Sequence, residues 1–563
     1  MIVKDIIATS IIPEKIKNVM TGVIKSGIFP AIWKTAKLVL LRKPNKKADD
    51  PAGYRPLSLL DCYGKLLEAI LLGRIEELLQ NHCNLADTQF GFRKGKSTLG
   101  AIEKVVAMAE AAKQGTQRNK KLCALITLDV KNAFNSAPWQ AILEEIKRRG
   151  FPQYMYNLID SYLDQRHVVV RDAKGTTKTF EVSSGVPQGS ILGPTLWNIL
   201  YDEVLRLDLG SEVQLVGFAD DLALIVTAQK EYVLMKKANI ALGRISDWMK
   251  HKRLRLAPEK TEAIMLSGKK RYGPISFLVD GVEVRPGEKL KYLGIWFDRC
   301  LKFNKHIEEV SGKAERLTAA LGRLMPRRGG PRASKRKLLA SVAHSVMLYG
   351  APIWVNTLKM DKYKKMLTRI QRLLAIRICG AYRTISLEAV QVIAGLIPIE
   401  RLALERTRRY RKDKNTPEEE RKRTLIEWEA EWRSRGKGAW TRELIPNLKE
   451  WMERKHGEVD RWLTQVLSGH GVFNTYLHTI GKAISDECPY CGENDTPQHA
   501  IFECRMFERE RNMTLGKGSK LTPKNFIPRM LANKDEWEKV AKLVKLIMKT
   551  REDDEWDRQN IEA

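Results

Sequence analysis

Cysteine is scarce, with eight in 563 residues, too few for a secreted scaffold held by disulfides. Three of the eight crowd into residues 488–504, whereas Cys62, Cys83, Cys123, Cys300 and Cys379 are scattered. That distribution points to a reducing compartment and to metal chemistry at the cluster. Long hydrophobic runs are missing as well. The longest uncharged run, Val182–Tyr201, holds two Pro, three Gly, three Ser, a Gln and an Asn. Such a composition excludes a membrane span and reads as a loop feeding a buried helix. The N-terminal stretch MIVKDIIATSIIPEKIKN mixes acidic and basic residues into its apolar part, so it is not a signal peptide. No internal repeat and no long low-complexity tract is present, which sets aside solenoids and fibrous chains. Acidic residues are in deficit: 67 Asp and Glu face 98 Lys and Arg, a net charge of +31. An excess of that size predicts a polyanion partner, nucleic acid before an anionic membrane surface.

What is present is a globular chain. Apolar residues make up 43% and charged residues 29%, and the length implies roughly three to five units. Leu38–Leu41 predicts a short strand between cationic flanks. Tyr63–Gln80 predicts an amphipathic helix with Leu66, Leu67, Ile70, Leu71 and Leu78 on one side. Leu122–Leu128 is almost continuously apolar, as a strand buried on both faces should be. Val213–Val226 reads apolar, Asp-Asp, apolar, a hairpin with its turn expected at Asp220–Asp221. Lys291–Phe297 reads as one further strand. From Lys302 to about Lys414 the chain is helical and basic. Beyond that it is rich in Trp and alternates Arg and Lys with Glu, the pattern of solvent-facing helices.

Three carboxylates carry the chemistry. Asp129 ends the apolar run LCALITLD, and Asp220 and Asp221 interrupt VQLVGFADDLALIV. Each element alone has an ordinary explanation as a helix cap or a turn. Brought together at buried strand ends, three negative charges repel strongly, and divalent cations between them relieve the repulsion. Mg²⁺ prefers such oxygen ligands. Two ions about 3.5–4 Å apart activate an attacking hydroxyl and stabilise a leaving oxygen in phosphoryl transfer. The residues therefore point to nucleotidyl transfer. Between the carboxylates lies SSGVPQGSIL, where Gly185, Pro187 and Gly189 break regular structure and let the backbone approach a ligand. Gln188 offers both donor and acceptor to a base edge or a sugar. Phe134 stands five residues after Asp129, near enough that its ring could lie against the sugar of a nucleotide bound there, where it would exclude a 2′-hydroxyl. As an isolated aromatic it would read as core.

Taken in order, these segments resemble the reverse transcriptases of non-LTR (LINE-type) retrotransposons. The matching stretches are WKTAKLVLLRKPNKKADDPAGYRPLSLLDCYGKLLE, TQFGFRKGKST, ITLDVKNAFNSAPW, GVPQGSILGPTLWNILYDEVL, GFADDLALIV, LAPEKTEAIML and KYLGIWFD, across about residues 28–300. HSVMLYGAPIW and the following helices resemble the thumb of these elements. CPYCGENDTPQHAIFEC resembles the C-terminal zinc knuckle of arthropod Jockey-type and ribosomal-DNA-inserting elements. The resemblance implies an α+β right-hand polymerase: fingers over 1–121, and palm over 122–301 with helices inserted between Asp129 and Asp220. A thumb would follow over 302–414, then a mainly helical, basic C-terminal domain over 415–563 with its knuckle at 488–504. It implies an RNA-directed DNA polymerase that extends a primer 3′-hydroxyl by two-metal chemistry, in target-primed reverse transcription. RNA template, DNA primer or target, and dNTPs are the implied partners, with no membrane. Translation would be cytoplasmic and the site of action nuclear.

Residue by residue, the resemblance makes Asp129, Asp220 and Asp221 the ligands of two Mg²⁺ and Phe134 the sugar-discriminating aromatic. Gln188 and Gly189 lie beneath the nascent base pair. Arg55, in YRPL, grips the incoming triphosphate, a role for a planar bidentate donor, with Lys43 assisting. Lys260, in PEKT, stands near the leaving pyrophosphate as a cation or proton donor. Leu293 and Gly294 match the primer-grip turn. Arg93 matches a phosphate or template contact, with a solvated basic loop as the plain alternative. Nothing before Ile28 matches the Gly/Pro-rich motif or the endonuclease that precede the fingers in this family. The expectation is the downstream part of a longer reading frame, or a truncated copy. Two alternatives stand beside it: a relic that binds nucleic acid without turnover, which the missing upstream motif favours and intact Asp129, Asp220 and Asp221 oppose, and a group II intron maturase-type reverse transcriptase, which the terminal knuckle and the thumb sequence fit poorly.

Cys488, Cys491, His499 and Cys504 supply four soft or borderline ligands close in sequence, with Gly492 easing the turn after the Cys-x-x-Cys pair. Zn²⁺ suits such a set, and four protein ligands leave no open position, so one structural zinc is expected. His470, His478 and Cys379 fall outside the spacing. A restriction-like nuclease, the rival for this tail, needs paired Asp residues, and no Asp lies between Cys504 and Asp535. Basic residues concentrate in two runs. Ser311–Ala340 holds nine Lys or Arg against one acid, and Lys34–Lys47 holds six against none. In the implied thumb and fingers they would flank an RNA–DNA duplex and steepen the salt dependence of binding.

Overall fold

Two four-stranded sheets carry the first half of the chain, and helices carry the second. The computed structural model describes residues 11–44, 47, 49–114, 120–171, 174–267, 272–326, 329–411, 415–434 and 436–561. It divides into two units, Met1–Leu301 and Lys302–Ala563. The N-terminal stretch 1–10, and Lys46, Arg327 and Arg328 of the basic runs, lie outside the described residues.

The strands of the first unit are β1 (Thr35–Arg42), β2 (Tyr54–Leu59), β3 (Leu122–Leu128), β4 (Arg166–Arg171), β5 (Thr177–Val182) and β6 (Val213–Phe218). They continue with β7 (Asp221–Ala228), β8 (Glu262–Met265), β9 (Phe277–Val279), β10 (Val282–Val284), β11 (Lys289–Tyr292) and β12 (Ile295–Asp298). One sheet runs β2-β1-β4-β5, with β1 parallel to β4, and the other runs β6-β7-β3-β8, antiparallel throughout. β3 is the inner strand that its apolar run predicts: Leu122, Ala124, Leu125 and Ile126 are wholly buried. Helices Thr98–Lys113 and Glu231–His251 both pack on β3 and β7, so the strand has no polar face to show.

Three expectations shift. The helix runs Cys62–Asn81, capped by the Asp61 carboxylate, which accepts from the N–H groups of Tyr63 and Gly64. Its buried stripe is Gly64, Leu67, Glu68, Leu71, Ile75 and Leu79, while Leu66 is exposed. The helix is rotated because Glu68 has a task inside: its Oε2 accepts from Ile191 N–H at 2.6 Å and Leu192 N–H at 3.0 Å. The β6–β7 turn falls at Ala219–Asp220, one residue earlier than expected, because Phe218 pairs with Asp221. Lys291–Phe297 is not one strand but parts of β11 and β12 around Leu293–Gly294. Those two residues take φ of 45° and 86°, the left-handed pair that a tight hairpin turn needs. An unbroken apolar spelling conceals such a turn.

In the second unit, helices Asn304–Leu324, Ala333–Met347 and Asp361–Cys379 pack on one another. Much of the Trp is core, though Trp556 is exposed: buried Trp354, Trp432 and Trp451 donate Nε1–H to the carbonyls of Tyr349, Ile445 and Val392 at 2.7, 3.0 and 2.8 Å. The charged helices are not simply solvent-facing. Ile399–Arg411 and Pro417–Ser434 pack together, burying Glu405 and Glu420 against Arg421 at 3.0 Å and Arg408 at 2.5 Å. Alternating charge therefore marks a paired interface as readily as a wet surface. No single helix among the described residues is long and apolar enough to cross a membrane, although Ala333–Met347 with Ala351–Lys359 meets that test jointly across a 52° bend.

Candidate active site

β3 delivers Asp129 and β7 delivers Asp221 to the same end of the sheet. The register pairs Leu128 with Leu222, so one further step sets Asp129 across from Asp221, with Asp220 in the adjoining turn. Ala257 N–H donates to the Asp129 carbonyl at 2.8 Å. That bond ties the strand end to the short turn Pro258–Lys260, from which Lys260 Nζ donates to Asp129 Oδ2 at 2.5 Å.

The carboxylates resist being ionised together. Burial first, and then the Asp129 charge, hold Asp220 above the usual carboxylate range against the help of Lys260. Asp221 as a residue is exposed, yet partial burial of its carboxyl, then Asp220 and Asp129, push it up to about 6. The buried phenols of Tyr201 and Tyr292 are raised by burial and next by these carboxylates, and neither hydroxyl has a hydrogen-bond partner among the described residues. An all-oxygen donor set under that electrostatic load fits a divalent cation.

A cavity of about 560 Å³ opens beside them and collects Lys43, Arg55, Phe134, Gln188, Gly189 and Lys260 around Asp129 and Asp220. Its floor is the loop 185–192, pinned at several points. Val186 N–H donates to the Phe134 carbonyl at 2.7 Å, Ser58 N–H donates to the Gln188 carbonyl at 2.8 Å, and Glu68 holds the far end. Gly189 has φ of 122°, and a Cβ there would stand 2.6 Å from the Ser58 oxygen, so only glycine fits against β2. Phe134 is half-buried, its ring 5.4 Å from Trp197 and edge-on to Phe92 at 6.0 Å. Arg93 does not join this group. Its Nη1–H donates to the carbonyls of Ala86 at 2.6 Å and Gln89 at 3.3 Å, closing its own loop. Leu293 and Gly294 form the β11–β12 tip beside Tyr292, whose phenol feels the Asp221 charge.

In the second unit, the ligand atoms of Cys488, Cys491, His499 and Cys504 all lie within 4.8 Å of one another. Cys488 N–H donates to the Glu493 carbonyl at 2.6 Å and Gly492 N–H to the Cys488 carbonyl at 2.9 Å, a knuckle folded by its own backbone. Helix Lys534–Ile561 braces it: buried Arg551 pairs with buried Asp495, and Tyr490 donates to Asp554 at 2.5 Å. Soft thiols and one imidazole converging in this way fit Zn²⁺. His470, His478 and Cys379 bond elsewhere, to Thr384, Ala483 and Ala375.

The cavity also holds residues that the sequence did not single out, among them Phe92, Asn132 and Asn135. Phe92 had a signal, its place in the same FGFRKG segment as Arg93; the two asparagines had none beyond flanking Phe134. Residues 42–297 match the family Reverse transcriptase (RNA-dependent DNA polymerase). The chain is 29% identical, over 92% of its length and 51% of the relative's, to a putative 115 kDa protein in type-1 retrotransposable element R1DM of Drosophila melanogaster. It is 28% identical, over 60% of its length and 37% of the relative's, to the RNA-directed DNA polymerase from mobile element jockey of the same species. Apo telomerase from Candida tropicalis is similar at 12% identity and a TM-score of 0.38, over 75% of this chain and 74% of that one. The chain spans about half the length of that R1DM relative and of the R1 polyprotein of Bradysia coprophila.

Proposed function

We propose that this chain, whose residues 42–297 are a reverse transcriptase domain of the non-LTR retrotransposon kind, copies RNA into DNA by extending a primer 3′-hydroxyl. The single observation that carries the reading is the convergence of Asp129 and Asp220 with Arg55, Phe134 and Gln188 on one cavity. A pair of Mg²⁺ held by Asp129, Asp220 and Asp221 would supply activation of the primer hydroxyl and charge neutralisation on the transferring phosphate. Arg55 and Lys43 bind the triphosphate, Arg55 through its bidentate fork. Phe134 excludes a 2′-hydroxyl, stiffened from behind by Trp197. Gln188 and Gly189 support the nascent base pair, and the Leu293–Gly294 turn carries the primer end. Lys260 holds positive charge at Asp129 and donates a proton toward the leaving pyrophosphate.

In the right-hand reading, 1–121 are fingers, 122–301 palm, 302–414 thumb, and 415–563 a basic tail. The tail is stapled by one structural Zn²⁺ on Cys488, Cys491, His499 and Cys504. The biological reaction would be target-primed synthesis at a chromosomal nick cut by an endonuclease, hence in the nucleus after cytoplasmic translation. Primer extension by the purified chain on an RNA template tests the reading. Expected is a Mg²⁺-dependent DNA product, lost in Asp220→Asn. RNA binding with no such product would sink the enzyme and leave a nucleic-acid-binding relic.

A further inference from the structure

Gln89 is fully buried, yet it serves a turn 130 residues away. Its Oε1 accepts from Gly91 N–H at 3.0 Å and from Ala219 N–H at 3.3 Å. Ala219 directly precedes Asp220 and has φ of 59°, a conformation that alanine keeps only when its surroundings impose it. The surroundings are extensive. Phe90 N–H donates to the Gly217 carbonyl at 2.8 Å and Gly217 N–H to the Thr88 carbonyl at 2.9 Å, a parallel rung laid beside β6. Trp197 Nε1–H donates to the Ala219 carbonyl at 3.2 Å, and Asn198 Nδ2–H donates to the Gly91 carbonyl at 2.9 Å. A Cβ on Gly91 would stand 2.1 Å from the Ala219 nitrogen, so the two backbones touch where only glycine fits.

We propose that Gln89 is a positioning residue, which with Gly91 clamps the Ala219–Asp220 turn so that Asp220 is fixed for metal binding. A turn selected for stability alone would carry Gly or Asn at the left-handed position. This one keeps alanine and buries Gln89 Nε2 with no partner among the described residues. Both are costs that make sense when what is held is a position. The clamp rests on the polymerase reading for its purpose, though not for its geometry.

The test uses the full zinc-loaded chain and three measurements: Mn²⁺ titration by electron paramagnetic resonance, thermal melting, and Mg²⁺-dependent primer extension. Asp221→Asn serves as the metal-binding blank. Gln89→Met keeps the length and removes the acceptor. It is expected to weaken Mn²⁺ binding and raise the Mg²⁺ half-saturation by about tenfold, with the dNTP KM within about twofold of wild type. Adding Ala219→Gly, which removes the left-handed strain, is expected to restore part of the metal affinity, so the two substitutions are non-additive. If Gln89→Met does not fold, Gln89→Asn, one methylene too short to reach Ala219, takes its place with the same expectation. Wild-type Mn²⁺ affinity with only a lower Tm, or losses that simply add, would overturn the clamp. A wild-type chain that binds Mn²⁺ but extends no primer would refute the polymerase reading, while the Mn²⁺ cycle would still judge Gln89.

Discussion

Asp221 concentrates the electrostatic problem of the site, and its shift has a sign that can be followed. The ordinary value is 3.8, and in the folded protein the carboxyl is pushed up to about 6. Folding therefore favours its protonated form. The corresponding stability is present below pH 3.8 and is lost as pH rises through about 6. Asp221→Asn is expected to melt a few degrees higher than wild type at neutral pH without divalent metal, and to flatten the pH dependence between those values. Its primer extension should be absent. Melting curves in chelator across that pH window check the first part; a variant less stable than wild type at neutral pH would contradict it. Phe134 is the other side chain with a separable role. Phe134→Val should leave dNTP use largely intact and raise ribonucleotide incorporation, by about a hundredfold if the ring alone blocks the hydroxyl. Competition between dNTP and rNTP in single-nucleotide extension reads that ratio.

Among the elements, the Cys488–Cys504 segment is the one whose folding the proposed zinc would control. Residues 486–504 fold as a backbone-bonded turn and the short helix His499–Glu503, which buries Ala500, Ile501 and Phe502; the four candidate zinc ligands, Arg551 and Tyr490 hold the turn. Stripping the zinc is expected to speed proteolysis within 486–504 and to lower Tm by roughly 5–10 °C. An unchanged cleavage pattern after verified zinc loss would mean that helix Lys534–Ile561 suffices. The β6–β7 hairpin should behave differently. β6 and β7 lie in a sheet whose apolar residues are buried without any ligand, so the hairpin is expected to keep its fold when divalent ions are removed.

For the molecule as a whole, the charge of +31 becomes a measurable slope. Affinity for an RNA–DNA duplex should fall linearly with salt on logarithmic axes, by about 0.7–0.9 per phosphate neutralised. Replacing Arg332 and Lys335 with Gln should lower that slope by roughly one to two, while affinity at low salt changes for all duplex sequences alike. A slope unchanged by the pair would remove this basic run from the nucleic-acid interface.

Local spelling determined much of this protein. Leu122–Leu128 is a buried strand because all of it but Thr127 avoids water, and Asp129 and the Asp-Asp pair follow from where such strands end. The Cys and His spacing is legible because one short loop contains all four ligands. Other features depend on contacts that no local window contains. The exact turn at Ala219–Asp220 is set by Gln89, 130 residues away, and the Lys260 contact to Asp129 spans 131. The rotation of helix Cys62–Asn81 follows from a carboxylate needed by backbone 123 residues on. Arg93 is spelled like a phosphate contact, and only the fold shows its Nη1 turned to the carbonyls of Ala86 and Gln89. Periodicity reports which residues avoid water; it carries no information about which distant donor a buried polar group will meet, and in this chain those meetings place the carboxylates.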